Sequence, residues 1–405
     1  MASARYRVAI VASHPVQYQA PWYRALTELV DLRVFFAHRI TADDHARSGF
    51  GVGFDWDVPL LDGYPHEWLT NVAARPGIEH FSGCDTPGVG DRLARGRYDA
   101  VVVNGWQLRT YWQAIRGARR AGIPVMVRGD SQLQASPSLL RRSAKRLVYP
   151  RLLRQFDAYL AVGRRSAEYY AHYGIGADRI HASPHCVDGE WFAAAAVLAR
   201  SRREEIRRAL GIPERALVWL FAGKLVEKKR PLDFVGALAA AGSETPDVWG
   251  LIVGDGPLRS EVEAACRAQG SAVLAGFRNQ RAMADMYAVS DGIVLPSDGR
   301  ETWGLVVNEA MACGLPAVVS DAAGCAPDLI VHGETGYTFP CGDVRALTKR
   351  LIEAAGPRDR LASLGAAARD HVRRRYSPGV AARGVVAAVE ALRPQLTGQR
   401  ERVPA

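Results

Sequence analysis

The chain has 405 residues, 52 Lys and Arg against 42 Asp and Glu for a formal net charge of +10, and 48% hydrophobic against 23% charged residues. That length predicts two domains, because single cores stop growing near about 250 to 300 residues, and that composition excludes disordered, collagen-like and disulfide-scaffold classes. Nowhere do about 18 apolar residues run together, as a membrane-spanning helix needs, and the apolar run at 8–12 is shorter than the hydrophobic region of a secretory signal.

Short apolar strands alternate with amphipathic helical stretches nearly from end to end, which predicts α/β architecture with parallel sheets. Strands are expected at 7–12, 32–37, 100–103, 125–128 and 158–162, and helices at 21–29, 108–121, 138–156 and 165–173. Residues 41–90 resist this reading. They are rich in Gly, Pro, Asp and Trp, and unpatterned stretches of that length usually serve function. Residues 183–211 combine a Pro/Cys/Gly turn, an alanine run and a charged helix, and read as the domain junction. A second series follows, with strands at 217–222, 249–253, 273–275, 292–295 and 317–320. The expected organisation is a Rossmann-like domain over 1–187, a second over 188–376, and over 377–405 a helix crossing back to the first domain before a loose tail. Two such doubly wound domains would bind ligands at the carboxyl ends of their sheets, facing a cleft.

Only five of the 52 basic residues are lysine (Lys145, Lys224, Lys228, Lys229, Lys349), so 52 − 5 = 47 are arginine. Arginine is the default cation here, and three of the five lysines lie between 224 and 229. The run Gly223-Lys224-Leu225-Val226-Glu227-Lys228-Lys229-Arg230 follows a predicted strand. Four cations at a strand's carboxyl end would neutralise a diphosphate and the charge that grows as it leaves. A solvated charge run is the ordinary alternative. Retained lysine weighs against it, because a compact ammonium acts differently from a guanidinium fork.

The segment Ser297-Asp298-Gly299-Arg300-Glu301-Thr302-Trp303-Gly304-Leu305-Val306-Val307-Asn308-Glu309-Ala310 follows a strand and opens a helix, so amides near Gly304 and Leu305 form a ready anion site. Glu301 and Glu309 bracket the turn. Fully helical rise would separate them by about 12 Å, which suits two ends of one extended ligand better than a catalytic dyad. Carboxylates accept hydrogen bonds from vicinal hydroxyls, so a sugar at one and a ribose at the other is the expectation. The alternative is a surface loop acid and a paired helix acid. Gly254-Asp255-Gly256-Pro257 ends the next strand with a turn that allows close ligand approach, and Gly276-Phe277-Arg278 is placed to present backbone groups to a nucleotide base.

With these residues in hand, the second half resembles the donor domain of the retaining glycosyltransferases of family 4, which have the GT-B fold. The resemblance runs from Phe221 through Asp343. It rests on the E-x7-E pair Glu301 and Glu309, on Gly223, Lys224, Leu225 and Lys229, on Gly254, Gly256 and Pro257, and on Ala310-Met311-Ala312-Cys313-Gly314-Leu315-Pro316 with His332-Gly333-Glu334-Thr335-Gly336. It implies a UDP- or GDP-linked sugar donor, transfer with retention to a hydroxyl of a glycan, lipid-linked or small natural-product acceptor, and no cofactor or metal. It gives Glu301 the donor-sugar hydroxyls, Glu309 the ribose, and Lys224 and Lys229 the diphosphate, with Thr302, Trp303 and the peptide groups of Gly304 and Leu305 assisting. Asp328 stands where the family usually has glutamate.

The first half resembles the family more loosely, and acceptor recognition is expected there, near 41–90 among other places. Ser183-Pro184-His185-Cys186-Val187-Asp188 is similar to the family's hinge element, with His185 and Cys186 replacing Asn and Gly. In place of a Gly-rich first loop stands Ser13-His14-Pro15-Val16-Gln17-Tyr18, similar to a subset with an H-P-[IV]-Q-Y start, where His14, Gln17 and Tyr18 are candidates to contact donor or acceptor. Asp130, in Arg128-Gly129-Asp130-Ser131, is the candidate to receive or share the acceptor proton; a turn-capping Asp is the alternative.

Residues 138–156 place Arg141, Arg142, Lys145, Arg146, Arg151 and Arg154 around leucines. Such a basic amphipathic surface can lie on an anionic membrane, and a core-packed helix with a charged outer face is the alternative. Six scattered cysteines without a C-x-x-C pair disfavour a metal cage and suit a reduced, cytoplasmic setting. No zinc-finger or basic-aromatic repeat supports nucleic acid as partner. An epimerase or hydrolase on the same architecture, and a non-catalytic anion-binding protein, are the rival readings.

Overall fold

The computed structural model describes residues 5–133, 139–245, 247–356 and 358–400. Contacts divide the chain into two compact units. The first takes residues up to Ile40, then Pro59–His185, then the chain from Pro378; the second takes Thr41–Val58 and Cys186–Ser377. The segment Thr41–Val58, expected within the first domain, therefore lies in the second. The reason is chemical: its aromatic side chains and backbone find partners there, as set out below.

The first unit is a seven-stranded parallel sheet in the order β3-β2-β1-β4-β5-β6-β7. Its strands are β1 Arg7–Ala12, β2 Asp31–Phe36, β3 His66–Trp68, β4 Ala100–Val103, β5 Val125–Gly129, β6 Ala158–Ala161 and β7 Ile180–Ala182. The central strands are apolar runs buried on both faces, as a parallel sheet covered by helices requires. The helix Pro378–Arg400 packs in this unit against the helix Ala20–Thr27 and against β6 and β7. Ser183 Oγ donates to Ala381 O at 2.9 Å. Gly384 permits this approach, since a Cβ there would come within 1.8 Å of Ala182 O.

The second unit holds a six-stranded parallel sheet in the order β10-β9-β8-β11-β12-β13, with β8 Leu217–Ala222, β9 Val248–Val253, β10 Ala272–Gly276, β11 Gly292–Leu295, β12 Ala317–Ser320 and β13 Gly336–Phe339. Both units are thus doubly wound α/β, with parallel sheets as expected. The three strands that the pattern does not reveal, β3, β7 and β13, each lie at a sheet edge and have three or four residues.

The predicted basic helix forms as Leu139–Leu153, with Pro150 inside it. Ser138 lies outside the described residues, as do the side chains of Arg141 and Arg142. Leu153 is buried, whereas Leu147 is 70% and Val148 56% exposed. The outer face of this helix is therefore apolar as well as charged. No helix among the described residues is long and apolar enough to cross a membrane.

Candidate functional site

In the second unit the loops leaving β8, β9 and β11 come together at the carboxyl ends of the strands. Their glycines let them stack. Gly254 has φ 145° and faces Gly223 so closely that a Cβ would sit 1.9 Å from Gly223 O, and a Cβ on Gly256 would sit 2.7 Å from Leu225 O. The Gly-x-Gly turn thus serves loop-on-loop packing before any ligand arrives. Leu225 N donates to Asp255 O at 2.8 Å and Leu258 N to Leu225 O at 3.0 Å, tying the turn to the lysine loop.

That loop makes one tight turn at Glu227–Lys229, and Arg230 follows in the left-handed region at φ 52°, a conformation that costs a non-glycine residue about 1 kcal/mol or more. The turn aims Lys229 at Glu301, and their side chains form an ion pair in which each is 12% exposed. Asp298 N donates to Lys228 O at 2.8 Å, and Glu301 O accepts from Gly324 N at 2.9 Å, so the two charged residues sit on backbone fastened at both ends. Lys224 lies beside them. Burial first, then repulsion by Lys228 and Lys229, lowers its ammonium to about 8.

The helix Leu305–Ala312 starts at Gly304, φ 110°. It covers only half of the interval between Glu301 and Glu309, so the fully helical separation expected from sequence does not apply. A Cβ on Gly304 would meet Leu295 Cδ2 at 2.5 Å, which explains glycine there. Trp303 turns inward, 4% exposed, and its Nε1 donates to Asn308 Oδ1 at 2.8 Å; the indole fixes the loop to the helix that carries Glu309. Tyr287 OH donates to Glu309 Oε2 at 2.5 Å. Burial pushes the Glu309 carboxyl up to about 7, with the tyrosine hydrogen bond opposing. Asp328 is engaged elsewhere: its carbonyl accepts from His371 Nε2 and Tyr376 OH, at 2.9 and 2.8 Å. Phe277 is half-buried and Arg278 exposed at the end of β10.

The first unit has its own polar cavity of about 330 Å³ at the carboxyl ends of β1, β4 and β5, lined by His14, Tyr18, Asn104, Arg128, Asp130 and His185 among others. It brings together four of the predicted residues, His14, Tyr18, Asp130 and His185; Gln17 is not among its lining residues. Tyr18 stands edge-on to His185 at 5.6 Å. Burial, then the Arg128 cation, holds His185 well below the usual imidazole range, so its ring is neutral at pH 7. Arg128 itself, 5% exposed, donates to Pro184 O at 3.0 Å and lies over the Trp22 ring at 4.4 Å. Sequence reasoning overlooked Arg128 and Asn104; the available signal was a charged residue within an otherwise apolar strand.

Both halves of the chain match known families. Residues 202–371 match the family of glycosyl transferases group 1, and residues 2–186 match the glycosyl transferase 4-like domain. The chain is 35% identical over 175 residues to a sulfoquinovosyl transferase of Arabidopsis thaliana, covering 42% of this chain and 32% of that protein. It is 32% identical over 235 residues to a GDP-mannose-dependent alpha-mannosyltransferase of Mycobacterium tuberculosis, covering 56% and 57%. The chain thus spans 32% and 57% of the length of these curated relatives. Among solved structures, HepE of Anabaena in complex with UDP and glucose matches with TM-score 0.68 at 16% identity, covering 95% of this chain and 99% of that one.

Proposed function

This chain is built of glycosyltransferase domains of the family 4 type on the GT-B fold, and from that premise we propose that it is a retaining, metal-independent glycosyltransferase. The donor is a UDP- or GDP-linked sugar bound in the second unit, and the acceptor is a hydroxyl compound bound in the cavity of the first. The observation that carries the reading is the nearly buried cation and carboxylate, Lys229 and Glu301, beside the desolvated ammonium of Lys224. A buried ion pair gives weak stability for its desolvation cost. Its worth here lies in holding one group for phosphate oxygens and another for sugar hydroxyls. The relatives support a nucleotide-linked donor: HepE is seen with UDP and glucose, and the mycobacterial protein depends on GDP-mannose.

In this mechanism Lys224, Lys229 and the amides at the start of Leu305–Ala312 bind the diphosphate and stabilise the charge that develops as it departs. Those fixed positive groups take the place a divalent ion would fill. Glu301 accepts hydrogen bonds from the donor sugar and Glu309 from the ribose. Asp130 shares the acceptor proton, while neutral His185 offers a hydrogen bond without adding charge. The exposed Leu147 and Val148 beside Arg151 support peripheral contact with an anionic membrane surface on the cytoplasmic side.

The test is incubation with UDP- and GDP-sugars and a panel of hydroxyl acceptors in EDTA, read by NMR of the products. A new glycosidic bond with the donor's anomeric configuration is expected. A new sugar nucleotide or free sugar formed at full rate without acceptor would make the protein an epimerase or hydrolase. Activity that EDTA abolishes and Mn²⁺ restores would contradict metal independence.

A further inference from the structure

Thr41–Val58 leaves the first unit after β2 and returns to it before β3, yet it packs in the second unit. What it touches there is the donor machinery. Gly49, φ 94°, lies against Lys224, since a Cβ built on it would be 3.5 Å from Lys224 Cδ and 3.9 Å from its Nζ. Gly51, φ 74°, lies against the neighbouring loop, 3.4 Å from Gly256 N and 3.5 Å from Asp255 Oδ1 by the same construction. Both glycines are set by a positive φ that other residues rarely adopt. They bring bare backbone to the lysine loop proposed to hold diphosphate and to the glycine turn packed on it.

Three residues on, the segment turns aromatic. Phe54 packs on Phe277 with ring centroids 4.5 Å apart and planes at 38°. His45 stacks on Phe54 at 4.5 Å and 18°, and Trp56 stands edge-on to Phe54 at 5.0 Å. Two polar anchors hold this cluster at the end of β10: Asn279 Nδ2 donates to Asp55 O at 2.7 Å, and Arg281 N donates to the Asp57 carboxylate at 3.2 Å. The second anchor sits at the first turn of Gln280–Val289, where a negative charge is favoured. Phe54, Trp56 and Phe277 each remain partly exposed. A rigidly held cluster of half-exposed rings next to cationic phosphate loops is an apolar wall against which a planar base packs, and alanine at a ring that contacts a base commonly costs about tenfold or more in affinity.

We propose that residues 41–58 form a donor-binding strap, in which the Phe54–Phe277 cluster borders the nucleobase while the backbone at Gly49 and Gly51 packs on the loops of Lys224 and Gly256 beside the diphosphate. The proposal rests on the reading of Lys224 and Lys229 as diphosphate ligands. It deepens that reading by naming a base-recognition element that comes from the N-terminal half of the sequence.

The experiment is calorimetric titration of the full chain with UDP, GDP and inorganic pyrophosphate, for wild type and Phe54→Ala. The expected result is tighter binding of at least one nucleotide than of pyrophosphate, with Phe54→Ala weakening that nucleotide about tenfold or more and leaving pyrophosphate nearly unchanged. If Phe54→Ala does not fold, Phe54→Leu keeps apolar bulk without the ring, and the same selective loss is expected. A folded variant that binds nucleotide as wild type does, or loses nucleotide and pyrophosphate equally, overturns the strap. Wild type that binds pyrophosphate as tightly as either nucleotide overturns the strap alone, and wild type that binds none of the three overturns the donor reading with it.

Discussion

The two sites are built in different ways. In the second unit the charged groups proposed for the donor come in two pairs, each pair on one contiguous segment: Lys224 and Lys229 on the loop after β8, Glu301 and Glu309 on the segment after β11. In the first unit the cavity takes one or a few side chains from each of several separate loops, around residues 13–19, 104–107, 128–131 and 185. A contiguous anion site is held by backbone geometry and tolerates few spacings. In a cavity assembled from single residues of several loops, one side chain can vary with the substrate while the others stay. The comparison teaches that donor chemistry should fail steeply when one residue is changed, and acceptor chemistry more gradually.

The largest effect is expected at Lys229. Lys229→Ala should lower turnover roughly a hundredfold or more, equivalent to about 3 kcal/mol of transition-state stabilisation, and it leaves Glu301 without its cation, so melting temperature is measured alongside. Near-normal turnover in a folded variant would remove the phosphate assignment. Next, Asp130→Asn should reduce kcat/KM for the acceptor about tenfold or more while nucleotide affinity stays as in wild type. Equal losses in both would mean that the two units are not separable in this way.

Smaller effects are expected from pH. Lys224, lowered to about 8, is charged at neutrality and loses its proton above pH 8. Nucleotide affinity should therefore decline above that pH, and Lys224→Arg should flatten the decline. Glu309 adds a pH dependence of stability. Its folded value, about 7, exceeds the ordinary 4.5, so the folded state holds this proton more tightly than the unfolded one, and stability contributed by protonation is lost as pH rises from about 4.5 to about 7. Urea unfolding of wild type and Glu309→Gln across that window should show a slope in the first that is reduced in the second.

Much of the second unit was readable in advance because Gly, Lys and Glu occur there at spacings that one strand-turn-helix can satisfy. What escaped was tertiary. Trp303 reads as a loop residue facing ligand, but its bond to Asn308 turns it inward, and nothing in the local spacing signals that choice. Residues 41–58 read as part of an acceptor region, because their partners, Phe277, Asn279 and Arg281, lie more than 200 positions away. The edge strands β3 and β7 have three residues each, too few for periodicity, and Arg128 is hidden in a strand whose other residues are apolar.

The central claim is that a diphosphate is held by the lysines of the second unit, and its most direct test is the dissociation constant of UDP and GDP for wild type, Lys229→Ala and Asp130→Asn. Weakening of about tenfold or more in the lysine variant alone is the predicted result. Equal affinity in wild type and Lys229→Ala, both folded, would contradict it.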